Sequence, residues 1–481
     1  MDMDEYLGDF SPEELTRYLQ ATAEWIGDYF AKIEEQEVFP QIEPGDFTRQ
    51  LPSKPPTKGE DMEEILADFA RLIPPATTHW NHPNFHAWFA NTGSAPGIVA
   101  ETLSAALNNN AMVWRSGPAS TEMELVVCDW LRQMLGLPDG LFGMIHDTAS
   151  VAVIATLAAA RHRATRGEVR EKGLRGLPQL RVYASEEAHS SVERAAIVLG
   201  LGSKNVVKIA ADREFRMIPR ALEEAIAQDR KAGFVPMAVV ATVGTTGTTS
   251  IDPVAQIAPL CKEGEVWLHV DAAYGGAMAT VPQYRWVLDG CEHADSLVVN
   301  PHKWLFVPMD CSVLFCKNAE DLRRTFSLVP SYLETPEDKI ARNLTDYGPA
   351  MGRRFRALKL WMVIRAYGSE GIAARVNYHL QLARELQDWI ARAENWEQLA
   401  PAPMSTVLFR HHPRGLSDEA ALERHNRSVL EEINRSGQAF LSHTIVRGSF
   451  ALRLAIGNLR TQRSHLLATW RLIQEVASRT P

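Results

Sequence analysis

Ser296-Leu297-Val298-Val299-Asn300-Pro301-His302-Lys303-Trp304 is the stretch on which the reading of this chain turns. A β-rich apolar run carries a lysine, flanked by His302 and Trp304, to its carboxyl end. Lysine is rarely buried unless it is paired or reactive. A desolvated lysine loses basicity and attacks carbonyl carbon to form a Schiff base. Upstream, Val266-Trp267-Leu268-His269-Val270 ends in Asp271 and is followed by Ala272-Ala273-Tyr274-Gly275-Gly276. Read as neighbouring strands, the two runs bring an acid and a lysine to the carboxyl edge of one sheet. Ligands of parallel sheets bind at that edge.

Working outward, short β-rich runs recur at 181–184, 206–209, 238–241, 266–270, 296–299 and 312–315, and helical patterns lie between them at 149–163, 190–199, 219–228 and 253–261. This alternation predicts an α/β fold with a largely parallel sheet between helices. Ahead of it, Leu15, Tyr18, Leu19, Trp25, Ile26, Tyr29, Phe30 and Ile33 mark an amphipathic helix over 11–36. Ser11 is its cap, with Pro12, Glu13 and Glu14 in the first turn. A second helix is expected over 61–72, after a Pro-rich connector. These helices carry more apolar surface than they can bury on each other, so they are expected to pack on the main body or on another subunit. Three units follow: an N-terminal helical segment at 1–94, a large domain at 95–362 and a small C-terminal α/β domain at 363–481.

The chain has 481 residues, 46% hydrophobic and 23% charged, with a formal net charge of -9. That balance argues against a nucleic-acid or anionic-membrane partner held by bulk charge. Five cysteines without a CxxC pair fit a reducing, cytoplasmic compartment. No signal peptide and no apolar run of roughly 18 residues is present. His79, His82 and His86 are interrupted by Pro83 and match no zinc spacing, so no metal is expected.

The Asp271–Lys303 pair has the chemistry that pyridoxal 5'-phosphate requires: an acid to keep the ring nitrogen protonated and a lysine for the aldehyde carbon. Asp147-Thr148-Ala149-Ser150 opens a helix and offers N–H groups and hydroxyls to a phosphate. On its own it reads as a plain helix cap. Thr242 to Thr249 is a second hydroxyl-rich turn, without the Gly-Lys-Ser/Thr of a P-loop. His189, in Ala188-His189-Ser190-Ser191, has a flat ring that could stack on an aromatic cofactor, but a lone loop histidine is usually a surface residue and spacing does not prove the role.

The chain resembles the group II pyridoxal-phosphate-dependent amino-acid decarboxylases, and most closely the aromatic-L-amino-acid decarboxylases. The resemblance rests on Trp80-Asn81-His82-Pro83-Asn84-Phe85-His86, Ser120-Thr121-Glu122-Met123-Glu124, Ala188 to Arg194, His269 to Tyr274, Asn300 to Trp304 and Gly352-Arg353-Arg354-Phe355-Arg356. It implies fold type I, as in aspartate aminotransferase, with a mostly parallel seven-stranded sheet and a homodimer whose N-terminal helices lie across the partner. It further implies that Lys303 carries the cofactor, Asp271 pairs with the ring nitrogen, His189 stacks on the ring and Ala273 lies under the other face. Ala149, Ser150, Thr246, Asn300 and His302 are the implied phosphate and cofactor contacts. Tyr332, in Pro330-Ser331-Tyr332-Leu333, is the implied proton donor to Cα, on a lid-like loop.

The implied reaction is decarboxylation of an aromatic L-amino acid (tryptophan, tyrosine, dopa or phenylalanine type) to the arylalkylamine. Relatives that make aldehydes with oxygen differ at the position of Tyr332 or His189, and both are kept here. Asn91, Trp114 and Gly352 are the implied substrate contacts, with Gly352 leaving room for an indole. Asn91, Asp147 and the stretch Met112-Val113-Trp114-Arg115 depart from the family pattern. They keep two alternatives open: a group II decarboxylase of glutamate or diaminobutyrate, and an oxidative aldehyde synthase. An aminotransferase with Arg453 as carboxylate clamp, or a catalytically idle relative, fits the motifs less well.

Overall fold

β1 (Phe142–His146), β2 (Leu180–Ser185), β3 (Val206–Ile209), β4 (Val235–Thr242), β5 (Trp267–Asp271), β6 (Ser296–Val299) and β7 (Ser312–Cys316) form a seven-stranded sheet in the order β1-β7-β6-β5-β4-β2-β3. The computed structural model describes residues 8–328 and 335–480. Strands β6, β5, β4, β2 and β3 run parallel, whereas β7 is antiparallel to both β1 and β6. β5 and β6 are buried along their whole length. Their alternate residues feed two apolar layers, Leu268, Val270 and Val299 on one side and Trp267 and Val298 on the other. Two-sided burial accounts for the unbroken apolar runs of the sequence.

β1 is the strand that the sequence does not announce. Its second residue, Gly143, has no side chain to mark a strand. A Cβ there would lie 2.5 Å from Cys128 Cβ, on helix Pro118–Leu135 that crosses the sheet. Gly275 is constrained in the same way. A Cβ on it would meet the Val243 carbonyl oxygen at 2.4 Å, so the turn after Asp271 can close onto the exit of β4.

Beyond the large domain, helix Ala357–Arg392 breaks at Gly368 (φ 65°), the point where the sequence pattern Leu358 to Tyr367 runs out. Its second half leads to a small antiparallel sheet of β8 (Trp396–Gln398), β9 (Thr406–His411), β10 (Ser442–Val446) and β11 (Ser449–Ala455), ordered β10-β11-β9-β8. At the other end of the chain, helix Pro12–Ala31 has a capping box made by Ser11 and Glu14, and Asp61 caps helix Met62–Leu72. Leu15, Leu19, Ile65 and Phe69 on these helices are exposed. The later part of the N-terminal segment is tied to the small domain of its own chain. The His86 N–H donates to the Phe440 carbonyl (2.8 Å) and the Ala455 N–H to the His86 carbonyl (2.9 Å). Among the described residues no helix is long and apolar enough to cross a membrane.

Arg353 and Glu124 form an ion pair whose side chains are each only 5% exposed. Glu124 Oε1 also accepts the Ile145 N–H (2.7 Å), and Arg353 Nη2 donates to the Ile145 carbonyl (3.1 Å). The pair thus pins the Gly352 segment to β1. Removing one partner leaves a buried charge uncompensated, at a cost of about 3–5 kcal/mol. Arg353→Leu should therefore lower the urea midpoint, with stability falling by that amount. An unchanged midpoint would show that the pair adds nothing.

Candidate active site

The carboxyl ends of β5 and β6 open into a cavity of about 180 Å³. Asp271 closes β5, and its Oδ1 accepts the Ala273 N–H (3.1 Å), which fixes the carboxylate at the start of the turn. Lys303 lies in a single helical turn, Pro301–Trp304, directly after β6. Its Nζ stands 5.1 Å from the centroid of the Phe89 ring. Burial lowers its pKa, the Asp271 charge raises it and Arg453 lowers it, with a net shift downward. A larger fraction of this amine is therefore neutral, and nucleophilic, than of an ordinary lysine.

His189 sits at the rim of the cavity, beyond β2. Its Nδ1 accepts the Ser191 N–H (3.2 Å), so the proton of the neutral ring is on Nε2. Its outer edge is open to solvent, yet the protein around it lowers its pKa by desolvation, against a smaller opposing effect of Asp271. The ring is neutral near pH 7.

His302 accepts the Cys311 N–H at Nδ1 (2.9 Å), and burial pushes its pKa down to about 3. Its proton is therefore on Nε2, 3.3 Å from Asn300 Nδ2, while Asn300 Oδ1 accepts the Ser312 hydroxyl (2.6 Å). Two N–H donors side by side on a cavity wall suit an anion better than they suit each other. Ala149 and Ser150, which also line the cavity, open helix Ala149–Ala164, whose N-cap residue Thr148 makes no side-chain cap bond. Such a terminus is a ready phosphate site. The Thr242 hydroxyl, also on the wall, is buried without a partner among the described residues. The cavity thus joins an anion cradle, a carboxylate and a partly buried amine, which is the set pyridoxal phosphate needs.

Of the residues expected from sequence, Ala149, Ser150, His189, Thr246, Asp271, Ala273, Asn300, His302 and Lys303 all line this one cavity. Asn91, Trp114 and Gly352 do not. Asn91 Nδ2 faces Met309 Sδ at 3.9 Å, Trp114 Nε1 donates to Glu122 (2.8 Å), and Gly352 has Asn110 as its nearest neighbour. Tyr332 lies outside the described residues. Arg115 is an exposed cation 3.7 Å from Glu337. Asp147, the acid set beside the phosphate cradle, accepts the Thr148 N–H (2.7 Å) and interacts with the Arg356 guanidinium, the cation such a position calls for. The three histidines of the N-terminal segment have separate protein partners: Tyr29 for His79, the Asn84 N–H for His82 and the Ala455 carbonyl for His86.

Phe89, Thr148, Thr242, Gly244 and Tyr274 also line the cavity. Thr148, Thr242 and Gly244 belong to the two hydroxyl-bearing turns that the sequence singles out, whereas nothing in the sequence marks Phe89 and Tyr274 as site residues. Arg453 stands beside the cavity. Its guanidinium lies 4.7 Å from the Phe89 centroid and donates to the Thr246, Gly247 and Trp88 carbonyls, leaving Nη2 buried without a partner among the described residues. It therefore ties the Thr246 loop, the Trp88-Phe89 segment and β11 together as one wall.

The profile of the pyridoxal-dependent decarboxylase conserved domain matches residues 44–412. The chain belongs to the pyridoxal-dependent decarboxylases. This decarboxylase is 36% identical to tyrosine decarboxylase 2 of Arabidopsis thaliana, over 95% of the chain and 85% of that protein. It is 35% identical to phenylacetaldehyde synthase of the same plant, over 97% and 96%. The crystal structure of Oryza sativa TDC with PLP and tryptamine superposes with a TM-score of 0.95 at 33% identity, covering 98% of the decarboxylase and 99% of that chain. The fold is therefore fold type I, and the cofactor of the decarboxylase is pyridoxal phosphate.

Proposed function

We propose that the enzyme converts an aromatic L-amino acid to its arylalkylamine and carbon dioxide, as a cytoplasmic homodimer. The observation that carries this reading is the convergence of Lys303, Asp271 and His189 on one anion-cradling cavity, in a chain similar end to end to tyrosine decarboxylases. Bound there, pyridoxal phosphate supplies the electron sink that lets the Cα–carboxylate bond break. Lys303, whose amine burial makes less basic, would hold the aldehyde carbon. Asp271 keeps a proton on the ring nitrogen. His189 and Ala273, which both line the cavity, would pack against the cofactor ring.

The exposed apolar side chains of the N-terminal helices, with Val99, Leu103 and Leu107 on helix Ala95–Leu107, supply an apolar face suited to a second subunit. In that dimer Trp114 and Gly352 of one subunit, absent from their own cavity, complete the aromatic pocket of the other. Asn91 is assigned to the substrate carboxylate by family pattern alone, since it does not line its own cavity. All five cysteines are free and buried, which fits a reducing compartment.

Tyr332 is assigned the proton that returns to Cα. Tyr332→Phe should still bind substrate and lose carbon dioxide, since its hydroxyl takes no part in either. The electron pair left at Cα then lacks its acid, and oxygen takes it instead. Aldehyde, ammonia and peroxide should replace amine, with amine formation slowed about 100- to 10,000-fold. Amine at the parental rate without aldehyde would move the role to another group, and aldehyde as the main product of the parent enzyme would favour the oxidative synthase.

A further inference from the structure

The reactive lysine sits on a very short element. The helix Pro301–Trp304 has four residues and cannot hold its own shape by helix propensity. At its two ends the Lys303 N–H donates to the Asn300 carbonyl (3.0 Å), and the Leu305 and Val307 N–H groups both donate to the Pro301 carbonyl (3.3 Å each). The direction of the Lys303 side chain is therefore set by how its neighbours are anchored. His302 is fixed to Cys311. Trp304, on the other side, is fully buried.

Two contacts orient the Trp304 indole. One face stacks on Tyr274, with centroids 4.7 Å apart and planes 5° from parallel, and Tyr274 stacks in turn on Phe89 at 3.8 Å. Stacking fixes a plane but leaves a ring free to slide or turn within it. The second contact removes that freedom, because Trp304 Nε1–H donates to His379 Nδ1 (2.9 Å) with the two rings 5° from coplanar. His379 is 2% exposed, and burial pushes its pKa down to about 4, so Nδ1 remains an acceptor throughout the working range. Its remaining ring proton, on Nε2, is directed to the Asn458 carbonyl. Asn458 Nδ2 donates to both the Trp80 and the His82 carbonyls (2.9 Å each). A side chain on Gly457 would come within 3.8 Å of Trp304 Cδ1.

We propose that His379 is a positioning residue for Lys303. It lies beyond the Gly368 break, on the part of the long helix that leads into the small domain, and it touches neither the cavity nor the lysine. It acts through the Trp304 indole, so that the seat of the small domain and of the Trp80 segment is transmitted to the amine. The inference rests on Lys303 being the lysine that carries the cofactor.

The test compares the parent enzyme with His379→Leu and His379→Gln. Leucine removes both ring nitrogens. Glutamine offers Oε1 to the indole and an N–H to the Asn458 carbonyl. The first readout uses apoprotein: the pH dependence of Lys303 labelling by pyridoxal and borohydride, read by peptide mapping. The second is kcat and KM of the holoenzyme. A displaced Lys303 is better hydrated, so its titration in the leucine variant should rise toward the ordinary lysine value, by at least about 0.5 pH unit. Misplacement of a reacting group on the order of 1 Å costs about 100-fold, so kcat should fall roughly 10- to 100-fold with KM changed by less than about threefold. Glutamine should keep the labelling midpoint within about 0.2 pH unit of the parent and kcat within about threefold.

A leucine variant with parental labelling and kcat overturns the inference, as does a glutamine variant as impaired as leucine. Should the leucine variant fail to fold, Trp304→Phe, which keeps an aromatic ring in the stack and removes the donor, must show the same rise in the labelling midpoint, and a parental midpoint there overturns it. Label on another lysine in the parent overturns the Lys303 assignment and this inference with it. Label on Lys303 that is indifferent to position 379 overturns this inference alone.

Discussion

Replacing Lys303 with alanine should lower turnover at least about 1,000-fold, the scale on which loss of one member of a catalytic unit acts. The protein should still fold. Nζ has no hydrogen-bond partner among the described residues, so its removal strands no buried acceptor. Borohydride reduction of the parent holoenzyme, followed by peptide mapping, should place the cofactor on Lys303, and the variant should carry none. Apoprotein gives an independent check. The amine is desolvated, so its reaction with a small aldehyde should reach half its limiting rate at a pH below the ordinary lysine value. Label on another lysine, or near-parental turnover in the alanine variant, would remove Lys303 from the chemistry.

Asp271→Asn should lower turnover roughly 100- to 1,000-fold, as loss of one preorganised electrostatic group does, and weaken cofactor binding far less. The amide keeps the shape of the carboxylate and can still accept the Ala273 N–H, so the turn that delivers residues 271–276 persists. It carries no charge, however, and a neutral partner does not hold a proton on the ring nitrogen. A second effect has a defined sign. Asp271 raises the pKa of Lys303 against the lowering by burial and by Arg453. Without that charge the lysine should titrate lower still, which the pH profile of apoprotein labelling reads directly. A near-normal rate, or a Lys303 midpoint moved upward, would contradict the assigned role of Asp271.

What was legible in the sequence was chiefly what the strands carry. Asp271 and Lys303 end apolar runs, and because those runs are buried on both faces of the sheet, their ends locate its carboxyl edge. His189 follows β2 for the same reason. β1 escaped notice because Gly143, which must yield space to Cys128, leaves no β-branched signature. The stack Phe89–Tyr274–Trp304 brings Phe89 onto a residue more than 180 positions away, and no local spacing encodes it. Arg453, which the sequence suggested only as a carboxylate clamp, is engaged mainly with backbone carbonyls of two other segments. Asn91, Trp114 and Gly352 came from family pattern alone. A pattern records residue types without their positions in space, and within the chain these three lie away from the cavity.

The central claim is decarboxylation of an aromatic amino acid to an amine. The most direct measurement is to incubate the purified holoenzyme with tryptophan, tyrosine, dopa, phenylalanine, glutamate and diaminobutyrate separately, in air, and to quantify carbon dioxide, amine, aldehyde and peroxide. The account predicts equal amounts of carbon dioxide and arylalkylamine from at least one of the four aromatic substrates, with little aldehyde or peroxide. Amine from glutamate or diaminobutyrate alone, or aldehyde and peroxide in step with carbon dioxide, would contradict it.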